Sequence, residues 1–113
     1  MLRRIVSSAA AAALLCTLAM LFAAPSASAD TCNNSRDVYI TGAESHYTLT
    51  CSGGYIYVDG RVKDTRADGK CAQVKALING TWYYSARACP SGTTVYFSWH
   101  GLGNTAYVYT YLS

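Results

Sequence analysis

"CAQVKALINGTWYYSARAC", residues 71–89, opens and closes on cysteine and carries one turn signal, "NGT" at 79–81. Alternating apolar and polar residues on both sides of Asn79 and Gly80 read as two strands of a hairpin. Two registers compete. A two-residue turn at Asn79 and Gly80 sets Cys71 against Ala88 and Val74 against Ser85, mixing apolar with polar. A three-residue loop sets Cys71 against Cys89, Ala72 against Ala88, Val74 against Ala86, Ala76 against Tyr84 and Ile78 against Trp82. Opposed residues of an antiparallel pair share a face, and a slip by one moves every side chain to the other side. The second register keeps one face apolar and permits a cross-strand disulfide, so it is the one expected. It turns Trp82 inward.

The same logic extends in both directions. Backward, Val62, Gly60, Val58 and Ile56 fall opposite Ala72, Val74, Ala76 and Ile78, giving a three-strand sheet. Forward, Trp99, Phe97 and Val95 fall opposite Ala106, Val108 and Thr110 around "HGLGN", residues 100–104. The first sheet is then rich in small inward residues (Gly60, Ala72, Ala76, Ala86, Ala88), and the second supplies bulk, as interdigitating layers require. Strands are expected at residues 38–41, 46–51, 55–63, 71–78, 82–89, 94–99 and 106–112, with turn residues between them and no helical period. The expected fold is all-β: a small antiparallel β-sandwich of about six to seven strands stapled by two disulfides.

The N-terminus is of a different kind. "MLRR" precedes the apolar run "IVSSAAAAALLCTLAMLFAA", and "PSASA" places Ala27 and Ala29 as an A-x-A cleavage pair. Residues 1–29 are therefore expected to be a secretory signal peptide, and residues 30–113 a single secreted β domain. A membrane anchor is the competing reading of so long an apolar run, and the cleavage pair argues against it.

Cys16 leaves with such a leader, so Cys32, Cys51, Cys71 and Cys89 remain. An even count in a short exported chain reads as disulfides. A zinc site would want close cysteine pairs, whereas these lie eighteen to twenty residues apart. The hairpin register pairs Cys71 with Cys89 and leaves Cys32 for Cys51.

The whole chain carries a net charge of +3, but Arg3 and Arg4 belong to the leader, so seven basic residues face six acids beyond it. That balance predicts no nucleic-acid partner, and no membrane partner once the leader is gone. Catalytic material is thin. The histidines are His46 and His100, the one glutamate is Glu44, and a Ser98–His100 pair has no third group to orient the imidazole. Asp64 and Asp68 in "DTRADGK", with Asp59, invite a structural calcium, but turn chemistry accounts for them without an ion. The sequons at Asn33 and Asn79 matter only in a glycosylating host. The chain is expected to be non-enzymatic, with no cofactor and no metal.

Tyrosine is the conspicuous residue: there are ten, and in "TAYVYTYL", residues 105–112, it takes every second position. Tyr107, Tyr109 and Tyr111 then point outward while Val108 and Leu112 go to the core. In the register chosen above Tyr96 sits beside Tyr109, so Tyr96, Tyr107, Tyr109 and Tyr111 form the candidate binding face. Half-buried strand packing explains tyrosines equally well, yet four neighbouring rings approach the size of a functional patch.

"GRVKDTRADGKCAQVKA", "ARACPSGTTVYFSWHG" and "AYVYTYL" together resemble a pattern that recurs in small exported actinobacterial β-proteins; the resemblance implies secretion and β architecture. In architecture the chain is also similar to the two-disulfide actinomycete α-amylase inhibitors, whose Trp-Arg-Tyr triplet it lacks; "TWYYSA" stands on a strand instead. The expected function is a secreted, non-catalytic binding module for polysaccharide or a cell-envelope surface. The alternative is a proteinaceous inhibitor of a secreted enzyme, acting through an exposed loop such as the one bearing Leu102. Its partner would be carbohydrate in the first case and another secreted protein in the second.

Overall fold

Two-residue period runs through nearly every segment of the computed structural model, which describes residues 26–113. The proposed leader up to Pro25 lies outside the described residues. Eight strands follow in order: β1 (Ser26–Thr31), β2 (Asn34–Ile40), β3 (Ala43–Ser52), β4 (Tyr55–Asp64), β5 (Ala72–Ile78), β6 (Thr81–Tyr84), β7 (Thr94–Leu102) and β8 (Thr105–Leu112). They form two antiparallel four-stranded sheets, ordered β1-β8-β5-β6 and β2-β3-β4-β7. The all-β fold is as expected. The strand count is one higher, because Ser26–Thr31 form an edge strand paired with Thr105–Thr110 of β8.

Alternation decides which residues face the core. In β5 the buried set is Ala72, Val74, Ala76 and Ile78, and in β8 it is Ala106, Val108 and Thr110. Tyr47 and Leu49 of β3, Ile56, Val58 and Val62 of β4, and Phe97 of β7 meet them from the other sheet. Small residues on one sheet thus face large ones on the other, the arrangement that native packing density favours. A hydroxyl pair crosses this core: the Ser45 and Thr110 hydroxyls lie 2.7 Å apart, each buried and each partnered by the other.

Three expected pairings are corrected. Strand β4 does not lie beside β5; it pairs with β3 and β7, and the linker after Asp64 carries the chain across to the other sheet. Val58 and Val62 therefore belong to the sheet opposite Ala72 and Ala76. Alternation says that both sets are apolar and inward, but it reads the same for neighbours within a sheet and for partners across a core. Likewise β7 and β8 are not a hairpin. Residues 103 and 104 connect the two sheets, with Gly103 N–H donating to the Gly54 carbonyl at 2.9 Å.

The third correction is the register of residues 71–89. Near the turn it is the two-residue form: Ile78 opposes Thr81, Leu77 opposes Trp82, Ala76 opposes Tyr83 and Lys75 opposes Tyr84. Asn79 (φ 48°) and Gly80 (φ 77°) supply the two left-handed positions that the tightest hairpin turn needs. At the far end Ala72 opposes Ala88, which is the register of the three-residue form. Between Val74–Ser85 and Ala72–Ala88 one strand advances two residues and the other three, a β-bulge. Both registers are present, joined by that extra residue.

The disulfides are the expected ones. Cys71 pairs with Cys89 across the bulged end of the hairpin, and Cys32 with Cys51, tying the β1–β2 connection to β3. Between β3 and β4 Gly60 permits a close approach: a Cβ built there would stand 2.3 Å from the His46 carbonyl oxygen and 2.5 Å from Tyr47 Cβ.

Candidate functional site

The outer face of sheet β1-β8-β5-β6 follows from its register. Tyr107 stands beside Leu77, which stands beside Trp82; in the next row come Tyr109, Lys75 and Tyr84; then Tyr111 and Gln73. Alternation on β8 keeps Ala106, Val108 and Thr110 inside, so the three tyrosines are outside. The turn geometry at Asn79 and Gly80 does the same for Trp82 and Tyr84. Five aromatic rings therefore share one face.

Their packing is graded. Tyr84, Tyr107 and Trp82 are exposed, at 56%, 46% and 42% of their surface, whereas Tyr109 and Tyr111 are half-buried. The Trp82 ring lies 5.7 Å from that of Tyr109 and 6.4 Å from that of Tyr84, centre to centre. Burial, and after it the neighbouring Tyr84, raises the Tyr111 phenol above its ordinary pKa of 10.0.

Of the four tyrosines expected to group, the structure brings together Tyr107, Tyr109 and Tyr111. Tyr96 is corrected: it lies on β7, opposite Arg61 on the outer face of the other sheet, 78% exposed. Its assignment depended on a β7–β8 pairing that does not exist. Trp82, expected inward, is outside; Tyr83, expected outside, packs on the core with its ring 6.2 Å from Trp99. Trp82 and Tyr84 are thus site residues that the register argument missed. Asn-Gly at the turn was the signal that would have found them.

Elsewhere the polar candidates are engaged with other partners. The Ser98 hydroxyl donates to Asp59, while His100 stacks on Tyr57 with ring centres 5.3 Å apart. Ser98 and His100 are therefore not joined as nucleophile and base. Asp64 accepts a backbone hydrogen bond from Arg66 at 3.1 Å and Asp68 one from Lys70 at 3.0 Å, both ordinary aspartate turns. On the second sheet His46 Nδ1 lies 2.7 Å from Asp37 beside an open cleft of about 330 Å³ that also holds Arg36, Asp59 and Arg61. Asp30 is fully buried, with Arg36 donating to its Oδ1 from Nε at 2.8 Å and from Nη2 at 2.6 Å. That contact, more than anything else, holds the Arg36 guanidinium above its ordinary pKa.

No family model, curated protein or solved structure matches this chain.

Proposed function

We propose that the protein is a secreted, non-catalytic module that binds polysaccharide or a cell-envelope surface through the aromatic face of sheet β1-β8-β5-β6. The carrying observation is the grouping of Trp82, Tyr84, Tyr107, Tyr109 and Tyr111 on one side of the sheet, with Trp82, Tyr84 and Tyr107 exposed and the Trp82 ring tilted against those of Tyr109 and Tyr84 at 5.7 and 6.4 Å between centres. Flat aromatic rings stack on the apolar faces of sugar rings, and phenol and indole groups bond to sugar hydroxyls at the ring edges. Two disulfides fit an oxidising extracellular setting.

The test is retention of the protein on cellulose, chitin and isolated cell walls, with a panel of secreted hydrolases as the alternative prey. Trp82→Ala combined with Tyr107→Ser removes two exposed rings at little expected cost in stability. Loss of retention by a variant that still melts like the parent supports the reading. Unchanged retention by that variant, or capture of a hydrolase in preference to every polymer, overturns it; the second outcome favours the inhibitor reading.

A further inference from the structure

Lys75 occupies the middle of the aromatic face, between Tyr109 on β8 and Tyr84 on β6. Its Nζ lies 5.0 Å from the centre of the Trp82 ring, 5.3 Å from that of Tyr111 and 5.5 Å from that of Tyr109. Three ring faces steady the ammonium, but they take none of its N–H bonds as a carboxylate would. Among the described residues Lys75 has no carboxylate partner: the ion pairs found are Arg36–Asp30 and His46–Asp37. A second cation, Arg87, follows on the bulged strand beyond Gln73, its Nε donating to Ser113 Oγ at 3.0 Å.

The charge of the face is lopsided although that of residues 30–113 is nearly balanced, seven basic residues against six acids. Strands β5, β6 and β8 contain no Asp or Glu. Asp37, Glu44, Asp59 and Asp64 all lie on the other sheet, Asp68 is in the linker, and Asp30 is buried against Arg36. A platform for neutral sugars needs only rings and hydroxyl-bonding groups. An ammonium fixed among those rings, with its N–H donors unspent on the protein, matches a ligand that brings its own anion.

We infer that the face takes a carboxylate-bearing polysaccharide, a polymer containing uronic acid, with Lys75 pairing a sugar carboxylate while the flanking rings stack on the sugars. This rests on the polysaccharide reading above. The experiment compares retention on immobilised polygalacturonate with retention on the same polymer after its carboxyl groups are reduced to alcohols. The parent protein is expected to bind the acidic polymer about tenfold or more tightly than the reduced one, with the difference shrinking as salt is raised. Lys75→Met, which keeps an apolar stem under the rings, is expected to lose that preference, its retention on the acidic polymer falling to about that on the reduced one. Lys75→Arg is expected to retain it. Equal binding of both polymers by the parent, or an undiminished preference in a folded Lys75→Met protein, overturns the inference and leaves the polysaccharide reading standing. Should Lys75→Met fail to fold, the parent's ratio between the two polymers still decides. Retention of the parent on neither polymer, nor on cellulose or chitin, overturns the polysaccharide reading and the inference with it.

Discussion

Ser85 and Val74 hold each other by two hydrogen bonds: Val74 N–H donates to Ser85 Oγ at 3.0 Å, and Ser85 N–H donates to the Val74 carbonyl at 2.9 Å. The hydroxyl also donates to the Ala86 carbonyl at 2.8 Å. This is where the hairpin changes register, so the pair reconciles an Asn-Gly turn, which sends Trp82 outward, with a Cys71–Cys89 bridge that the unbroken two-residue register would misalign. Replacing Ser85 by Ala removes the acceptor of a buried N–H and is expected to lower stability by about 1–3 kcal/mol. Ser85→Thr, which keeps a hydroxyl, is expected to lose less. Urea denaturation measures both, and an Ala variant as stable as the parent would show that the bulge does not need the hydroxyl.

How much of this was legible follows from what alternation encodes. Period two marks strands and separates inner from outer residues, so Val74, Ala76, Val58 and Val108 are placed correctly from sequence. It does not say whether β5 lies beside β4 or across from it, because Val58 and Val62 are apolar and inward either way. The same ambiguity holds for β7 and β8, which lie in different sheets, so Tyr96 falls outside the site. Trp82 and Tyr84 were lost for another reason: a single register was imposed on residues 71–89, although its two ends obey different constraints, a turn and a disulfide. Only a bulge satisfies both, and a polar residue at a buried strand position, Ser85, was its trace in the sequence.

Gly60 offers a sharper test of packing than any core truncation. An added Cβ meets backbone, the His46 carbonyl oxygen, as well as Tyr47 Cβ, and neither can swing aside as a side-chain tip would. Gly60→Ala is expected to cost about 2 kcal/mol or more. Gly53→Ala is the control. No atom stands within 4 Å of its added Cβ, so only its left-handed φ of +59° is strained, worth about 1 kcal/mol. Thermal melts in which Gly53→Ala proves the more damaging would reject this account of β3–β4 packing.

Tyr111 predicts the alkaline behaviour of the fold. Burial favours its neutral phenol, so its pKa in the folded chain stands above the ordinary 10.0. Above that pH an unfolded chain has released a proton that the folded one keeps. The folded state then binds more protons, and its stability falls as pH rises through this window. Ultraviolet absorbance titration should show a late-ionising phenol that disappears in Tyr111→Phe. The fall in denaturation midpoint above pH 10.0 should be shallower in that variant than in the parent. Coincident titrations of the two proteins would remove the burial of Tyr111 as the cause.

The N-terminal boundary carries the last prediction. Cleavage after Ala29 would remove the pairings of Ser26 with Thr110, Ala27 with Tyr109, Ser28 with Val108 and Ala29 with Tyr107, keeping only Asp30 with Ala106 and Thr31 with Thr105. The anchors of the domain lie after that cut: both disulfides, the core, and buried Asp30 held by Arg36. A chain of residues 30–113 is therefore expected to fold, with a melting temperature somewhat below that of residues 26–113. The loss has a definite place. Backbone groups of β8 that faced β1 become a sheet edge, so alternate amides along residues 107–110 are expected to exchange hydrogen faster, while those paired with β5 keep their protection. The aromatic face remains, because Tyr107, Tyr109 and Tyr111 are flanked by β5 on their other side. Mass spectrometry of the secreted protein fixes the cut, and hydrogen exchange on the two chains reads its consequence. If residues 30–113 fail to fold where residues 26–113 succeed, Ser26–Ala29 belong to the domain and the cut lies upstream of them.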